Sequence, residues 1–114
     1  MDHDKEKWQP LLIVNPIPRE FIRFDCLEYF RDFQEGRYSS SAYLWFILPV
    51  AEIRMHHEED ALVVGRPGAD GIEFCYRFGH SGIWAFTPIE REWRAVASSL
   101  KDLEKHWTDG SLSV

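Results

Sequence analysis

His56-His57-Glu58-Glu59-Asp60 places two imidazoles and three carboxylates in five consecutive residues. These are metal-ligating groups, but the spacing does not suit them to one ion. Two histidines share a helical face when they stand four apart, and here positions 60 and 61 are Asp and Ala. On an extended chain, neighbouring side chains point to opposite faces. The segment therefore reads first as a solvated acidic turn. A small metal-binding or hydrolytic enzyme built on His56, His57 and a nearby carboxylate is the alternative.

Three further patterns lead no further toward catalysis. Gly65, Gly68 and Gly71 form a glycine series, but phosphate-binding glycine loops open a helix whose N–H groups face the phosphate. The residues that follow here alternate like a strand, so the series reads as a turn that uses glycine's freedom at positive φ. Cys75, His80 and Asp70 have the types of a nucleophile, base and orienting acid. Cys75 falls inside a strand pattern and His80 in a loop, so their side chains have no reason to converge. Ser81-Gly82 lacks the rest of a nucleophile elbow. Among the carboxylates, Glu58, Glu59, Asp60, Glu90 and Glu92 read as a solubilising surface. Trp84, Trp93 and Tyr76 stand out because aromatics beside acids anchor protein interfaces.

The elements that position these residues follow from periodicity. Arg19–Gln34 is expected as one helix, with Phe21, Phe24, Cys26, Leu27, Phe30 and Phe33 mostly at steps of three and four. Pro18 and Gly36 punctuate its ends. Leu11–Val14 is expected as a short strand, and Arg37–Ser41 as a polar loop. Tyr43–Leu48 is an apolar run of strand length, expected to be covered on both faces. Val50–Met55 is left open. Ala61–Val64 reads as a strand ending at Gly65. Ile72–Phe78 alternates strictly, giving one apolar and one mixed face. Gly79-His80-Ser81-Gly82 then joins it to Ile83–Thr87 in a hairpin. Glu92–Ala97 is either an edge strand or the start of the last helix. That helix is expected over Leu100–Trp107, with Ser99 and Asp102 resembling a capping box and Gly110 after its end. Helix, antiparallel strands, helix is an α+β layout: a β-meander flanked by helices within one domain, residues 1–114.

Composition narrows the function. The 114 residues carry nineteen acids against thirteen Lys and Arg, for a net charge of −6. Such a chain is poorly suited to phosphate backbones and well suited to meeting a basic protein. The polar, mixed-charge start and the short Leu11–Val14 run, closed by Pro10 and Pro16, fit neither a signal peptide nor a membrane span. Cys26 and Cys75 show no paired spacing and are expected to be reduced thiols. Cytoplasmic residence is the resulting expectation.

Leu62-Val63-Val64-Gly65-Arg66-Pro67-Gly68-Ala69-Asp70-Gly71-Ile72-Glu73-Phe74-Cys75-Tyr76 resembles the strand–glycine turn–strand centre of the SUKH superfamily. That superfamily includes the yeast cell-wall assembly regulator and many bacterial immunity proteins. Ile83–Phe86 is similar to its next strand, and Val96–Leu103 to its terminal strand-to-helix step. Ile17-Pro18-Arg19-Glu20-Phe21 is similar to its helix start, and Trp45–Ile53 to its first core strand and turn. The resemblance spans roughly residues 17–110 and rests on structural glycines and apolar positions. Asp25–Ala42 has no counterpart in it.

The resemblance implies a SUKH-like α+β fold and a non-enzymatic role: an immunity protein that neutralises a cognate toxin, often a basic nuclease. It implies neither cofactor nor metal. The contact residues expected on charge and aromatic character are Glu58, Glu59, Asp60, Glu73, Trp84 and Glu90. The expected partner is a basic toxin domain, with no nucleic acid and no membrane. The chain is expected as a monomer or a homodimer, and a homodimeric regulatory domain paired through a sheet edge is a further alternative.

Overall fold

Pro18 sets φ at −54° and leads into a 3-10 helix, Arg19–Phe24. The helix stops at Asp25, whose φ of 52° is left-handed, and helical structure resumes as α1, Leu27–Asp32. The single helix expected over Arg19–Gln34 is therefore two pieces. The reason lies in the spacing: at 3.6 residues per turn, Phe24 and Cys26 would point about 200° apart on one straight helix. The break lets Phe24, Cys26, Tyr29, Phe30 and Phe33 all be buried, while Leu27, expected in the stripe, is 60% exposed. The computed structural model describes residues 17–68 and 71–112, so the expected Leu11–Val14 strand and Asp70 lie outside the described residues.

Arg37–Ser39 is a strand, β1, where a loop was expected. The apolar run that follows forms β2, Leu44–Ile47, and its backbone groups need a partner. β1 supplies it antiparallel, with Tyr38 opposite Trp45 and Ser39 opposite Leu44. Gly36 makes the entry possible: its φ is 76°, and a Cβ there would lie 2.8 Å from the Ile47 carbonyl oxygen. The expected covering of β2 on both faces holds for Phe46 and Ile47 but not for Trp45, which is 36% exposed. The segment left open resolves into a 3-10 turn, Val50–Glu52, and a short strand β3, Arg54–His56.

The remaining strands are β4 (Ala61–Gly65), β5 (Glu73–Arg77), β6 (Ile83–Thr87) and β7 (Glu92–Ala97). The sheet is antiparallel and seven-stranded, ordered β1-β2-β4-β5-β6-β7, with β3 also on β4. The fold is α+β. β7 is the terminal strand, which resolves the Glu92–Ala97 ambiguity.

Alternation along the strands makes two layers of packing. Leu62, Val64, Phe74, Tyr76, Ile83 and Ala85 face the helical side, against Phe24, Tyr29, Phe30, Leu100 and Leu103. Ala61, Val63, Cys75 and Phe86 face the other way and gather with Leu48, Ile53 and Trp93. The expected mixed face of β5 is thus apolar at its centre: Cys75 is fully buried. Phe78, by contrast, falls just beyond β5, is 47% exposed, and lies under the Arg23 guanidinium at 4.4 Å.

α2, Leu100–Asp109, is capped at both ends. The Asp102 N–H donates to Ser99 Oγ (3.0 Å). The Asp102 carboxylate accepts from the N–H of Ser98 (3.0 Å), one residue earlier than an ordinary capping box requires. Gly110, at φ 78°, ends the helix. Leu100 and Leu103 are buried, and Trp107 stacks on Phe46 at 4.7 Å.

Candidate protein-binding surface

The sheet curls until its helix-free face closes on itself. His56, at the end of β3, packs edge-on against Phe86 of β6 at 5.2 Å. Glu59, in the following turn, reaches across to Arg91 and accepts from Trp93 Nε1 at 3.4 Å. Glu58 lies 3.8 Å from the same guanidinium. The turn closes at Asp60, φ 55°.

This arrangement divides the expected contact residues. Glu58 is open to solvent, with its side chain 78% exposed, and Glu90 is exposed in the β6–β7 turn beside Arg91. Glu59 is not the solvated turn residue expected: its side chain is only 14% exposed and is held by Arg91 and Trp93. Asp60 turns to the helical side and pairs with Arg23. Glu73 pairs with Arg54 across the β3–β4–β5 ladder. The structure therefore joins Glu58 and Glu59 to the β6–β7 turn and separates them from Asp60 and Glu73. The pairs exposed on both sides, Arg23–Asp60 and Arg91–Glu58, contribute about 0–1 kcal/mol each, so they shape the surface more than they hold the fold.

Trp84 is half-buried on the same helix-free face. Its Nε1–H donates to the Ser81 carbonyl (2.9 Å) and pins the β5–β6 hairpin. The Arg77 guanidinium lies 5.0 Å from the Trp84 ring and 4.9 Å from the Trp93 ring. A guanidinium over indole faces is attracted by the ring quadrupole. The contacts run without interruption from Glu58 through Arg91, Glu59, Trp93 and Arg77 to Trp84. An exposed aromatic pair, Tyr38 and Trp45, sits at the β1–β2 edge at 5.4 Å; Tyr38 falls in the expected loop and Trp45 in the expected strand.

The groups considered for catalysis are dispersed. His56 is half-buried against Phe86, and His57 is exposed in the turn. Among the described residues, no three His, Cys, Asp or Glu side chains gather as a metal site would require. Cys75 is fully buried and its thiol is pushed up by burial, with Glu73 adding to the effect. His80 is exposed in the hairpin, its Nδ1 3.1 Å from the Phe78 carbonyl. Cys26 is pushed up to about 11 by burial, opposed by a backbone hydrogen bond. Neither thiol is set up as a thiolate nucleophile at neutral pH.

The arginines that answer these acids were missed in the sequence. Arg23, Arg54 and Arg91 stand 37, 19 and 32 residues from their partners, and no local spacing signals such pairs. Among the described residues, no helix is long and apolar enough to cross a membrane. No protein-family model, curated protein or solved structure matches the chain.

Proposed function

We propose that this chain is a non-enzymatic protein-binding domain of the immunity type, which neutralises a basic toxin domain in the cytoplasm of the cell that makes both. The observation that carries the reading is the continuous surface from Glu58 to Trp84 on a chain of net charge −6. It combines exposed acids at its rim with aromatic and arginine groups at its centre. Interfaces are anchored by such aromatic and arginine side chains, and negative charge steers a basic partner into encounter. Contact over about 800 Å² per partner is ordinary for such a complex. The SUKH resemblance supports the same class.

The neighbouring reading frame supplies the test. A toxin domain encoded there, expressed alone, is expected to stop growth; co-expression with this chain is expected to restore it. A neighbouring product that neither arrests growth nor binds this chain counts against the proposal.

A second reading is favoured by one feature. β7 ends the sheet and presents six residues, Glu92–Ala97, whose outer edge pairs with no strand among the described residues. A free edge is a template for a second copy. Gel filtration across a hundredfold range of concentration (on the order of 1 to 100 μM, spanning weak dimer affinities) separates a dimer from a monomer.

A further inference from the structure

Two arginines are half-buried among the described residues, Arg37 and Arg77. Both guanidiniums lie against aromatic rings, but only one has its charge answered. Arg37 lies 4.5 Å from the Phe33 ring and donates to Glu104 (2.8 Å) and to the carbonyls of Gly36 (2.9 Å) and Asp32 (3.3 Å). Arg77 lies within 5.0 Å of both the Trp84 and the Trp93 rings, and its side chain makes no hydrogen bond or ion pair among the described residues. We propose that Arg77 anchors one carboxylate of the protein partner, an aspartate or glutamate side chain that enters beside the two indoles. The proposal rests on the protein-binding reading above and assigns the centre of that surface its counter-charge.

The acids nearby are already committed. Glu58 and Glu59 both face Arg91, and Glu59 also accepts from Trp93 Nε1. Glu73 stands four residues before Arg77 on β5, hence on the same face, and pairs with Arg54. Arg77 is thus left without a carboxylate on a chain whose net charge is −6. None of its three nitrogens is sealed from solvent, so all five N–H donors of the guanidinium stay open to a partner.

The indoles that hold the guanidinium are themselves held. Trp84 is tied to the Ser81 carbonyl (2.9 Å), and Trp93 packs on Phe86 at 4.8 Å. A guanidinium kept on ring faces has its planar fork ordered before the partner arrives, so less rotamer freedom is lost on pairing. Two parallel N–H groups match the two oxygens of a carboxylate. Arg37 with Glu104 is the same combination of ring, guanidinium and carboxylate, completed within the chain. At Arg77 the carboxylate must come from outside. A partner that is basic overall meets the rim at Glu58 and Glu90 with its cations and places one acid at the centre.

The ¹⁵N-labelled full chain, titrated with N-acetyl-glutamate methylamide at constant ionic strength, tests the site. Saturable shifts are expected at the Arg77 Nε–H and at the Trp84 and Trp93 indole N–H groups, and none with the uncharged N-acetyl-glutamine methylamide. Arg77→Gln should abolish the indole shifts. Arg77→Lys, which keeps the charge but not the fork, should weaken binding about tenfold. Toward a toxin partner, Arg77→Gln should lower affinity about hundredfold, mostly through faster dissociation. One aspartate or glutamate of that partner, changed to its amide, should weaken binding to the parent chain but no further to Arg77→Gln; a purely structural role for Arg77 would not single out one acid. Shifts shared by the glutamine analogue, or unchanged binding of the glutamate analogue in Arg77→Gln, overturn the proposal. Tighter binding of inorganic phosphate than of the glutamate analogue also overturns it, in favour of a phosphate site. A toxin that binds Arg77→Gln as tightly as the parent overturns it and leaves the protein-binding reading standing. Selective binding of the glutamate analogue with no protein partner keeps the carboxylate site and removes that reading.

Discussion

Glu28 of α1 closes the amino end of α2: its two carboxylate oxygens accept from the backbone N–H groups of Leu100 (2.7 Å) and Lys101 (3.1 Å). These donors have no partner within their own helix, and the helix dipole favours a negative charge there. One side chain therefore fastens the first helical layer to the last across more than seventy residues of chain. Replacing Glu28 with alanine is expected to lower stability by about 2 kcal/mol, the scale of charge-assisted bonds to orphan donors. Urea unfolding should show a lower midpoint with an unchanged slope.

Gly65 joins β2 to β4 where Ile47 pairs with it, and a Cβ there would lie 2.1 Å from the Phe46 carbonyl oxygen. The obstacle is backbone, so it cannot swing away. Gly65→Ala is expected to cost more than about 3 kcal/mol, in the range of severe core disruption, and to give insoluble or unfolded protein. Gly110 is the control: it has φ 78° but open space around it. Gly110→Ala should cost only about 1 kcal/mol. Circular-dichroism melts of the pair separate steric from conformational cost.

Cys26 is nearly buried and donates to the Phe21 carbonyl at 3.2 Å. Its pKa rises from 9.0 to about 11. Between those values the unfolded thiol has released its proton while the folded one keeps it, so the unfolded state binds fewer protons. Stability is then expected to fall as pH rises from 9 towards about 11 and to be unaffected by this group below 9. At about pH 8 iodoacetamide should label Cys26 and Cys75 slowly in the native chain and rapidly in urea, since thiolate character and access control the rate. Rapid native labelling would contradict the buried, protonated state of both thiols.

What the sequence revealed follows from where each signal is stored. The β5–β6 hairpin was legible because period-two alternation and two glycines, Gly79 and Gly82, both at positive φ, are local features. α2 was legible because Ser99, Asp102 and Gly110 mark its ends within the helix itself. The break at Asp25 was not, since a non-glycine residue at φ 52° carries little compositional signal. β1 was hidden because its strand character comes from pairing with β2 rather than from Arg37-Tyr38-Ser39. The site was legible only in part. Composition picked out the acids, but the pairing of Glu59 with Arg91, and the meeting of Arg77 with both Trp84 and Trp93, arise from the curl of the sheet.

The exposed rim acids are the simplest part of the proposed interface to alter. Glu58 and Glu90 are exposed, so reversing both to lysine should leave stability within about 0.5 kcal/mol. The same double variant should slow association with a basic partner about tenfold at low salt, because rim charges act mainly on the encounter rate. Trp84→Ala is expected to act differently, raising the dissociation rate through loss of a central aromatic contact.

The most direct measurement is the association rate of this chain with the basic toxin domain proposed as its partner, followed by stopped flow from about 20 mM to about 500 mM salt, a range over which screening lengths shorten severalfold. The protein-binding account predicts a rate that falls steeply with salt, and a Glu58→Lys, Glu90→Lys double variant that loses most of that dependence. A rate indifferent to salt and to both charge reversals, or no association at all, would contradict it.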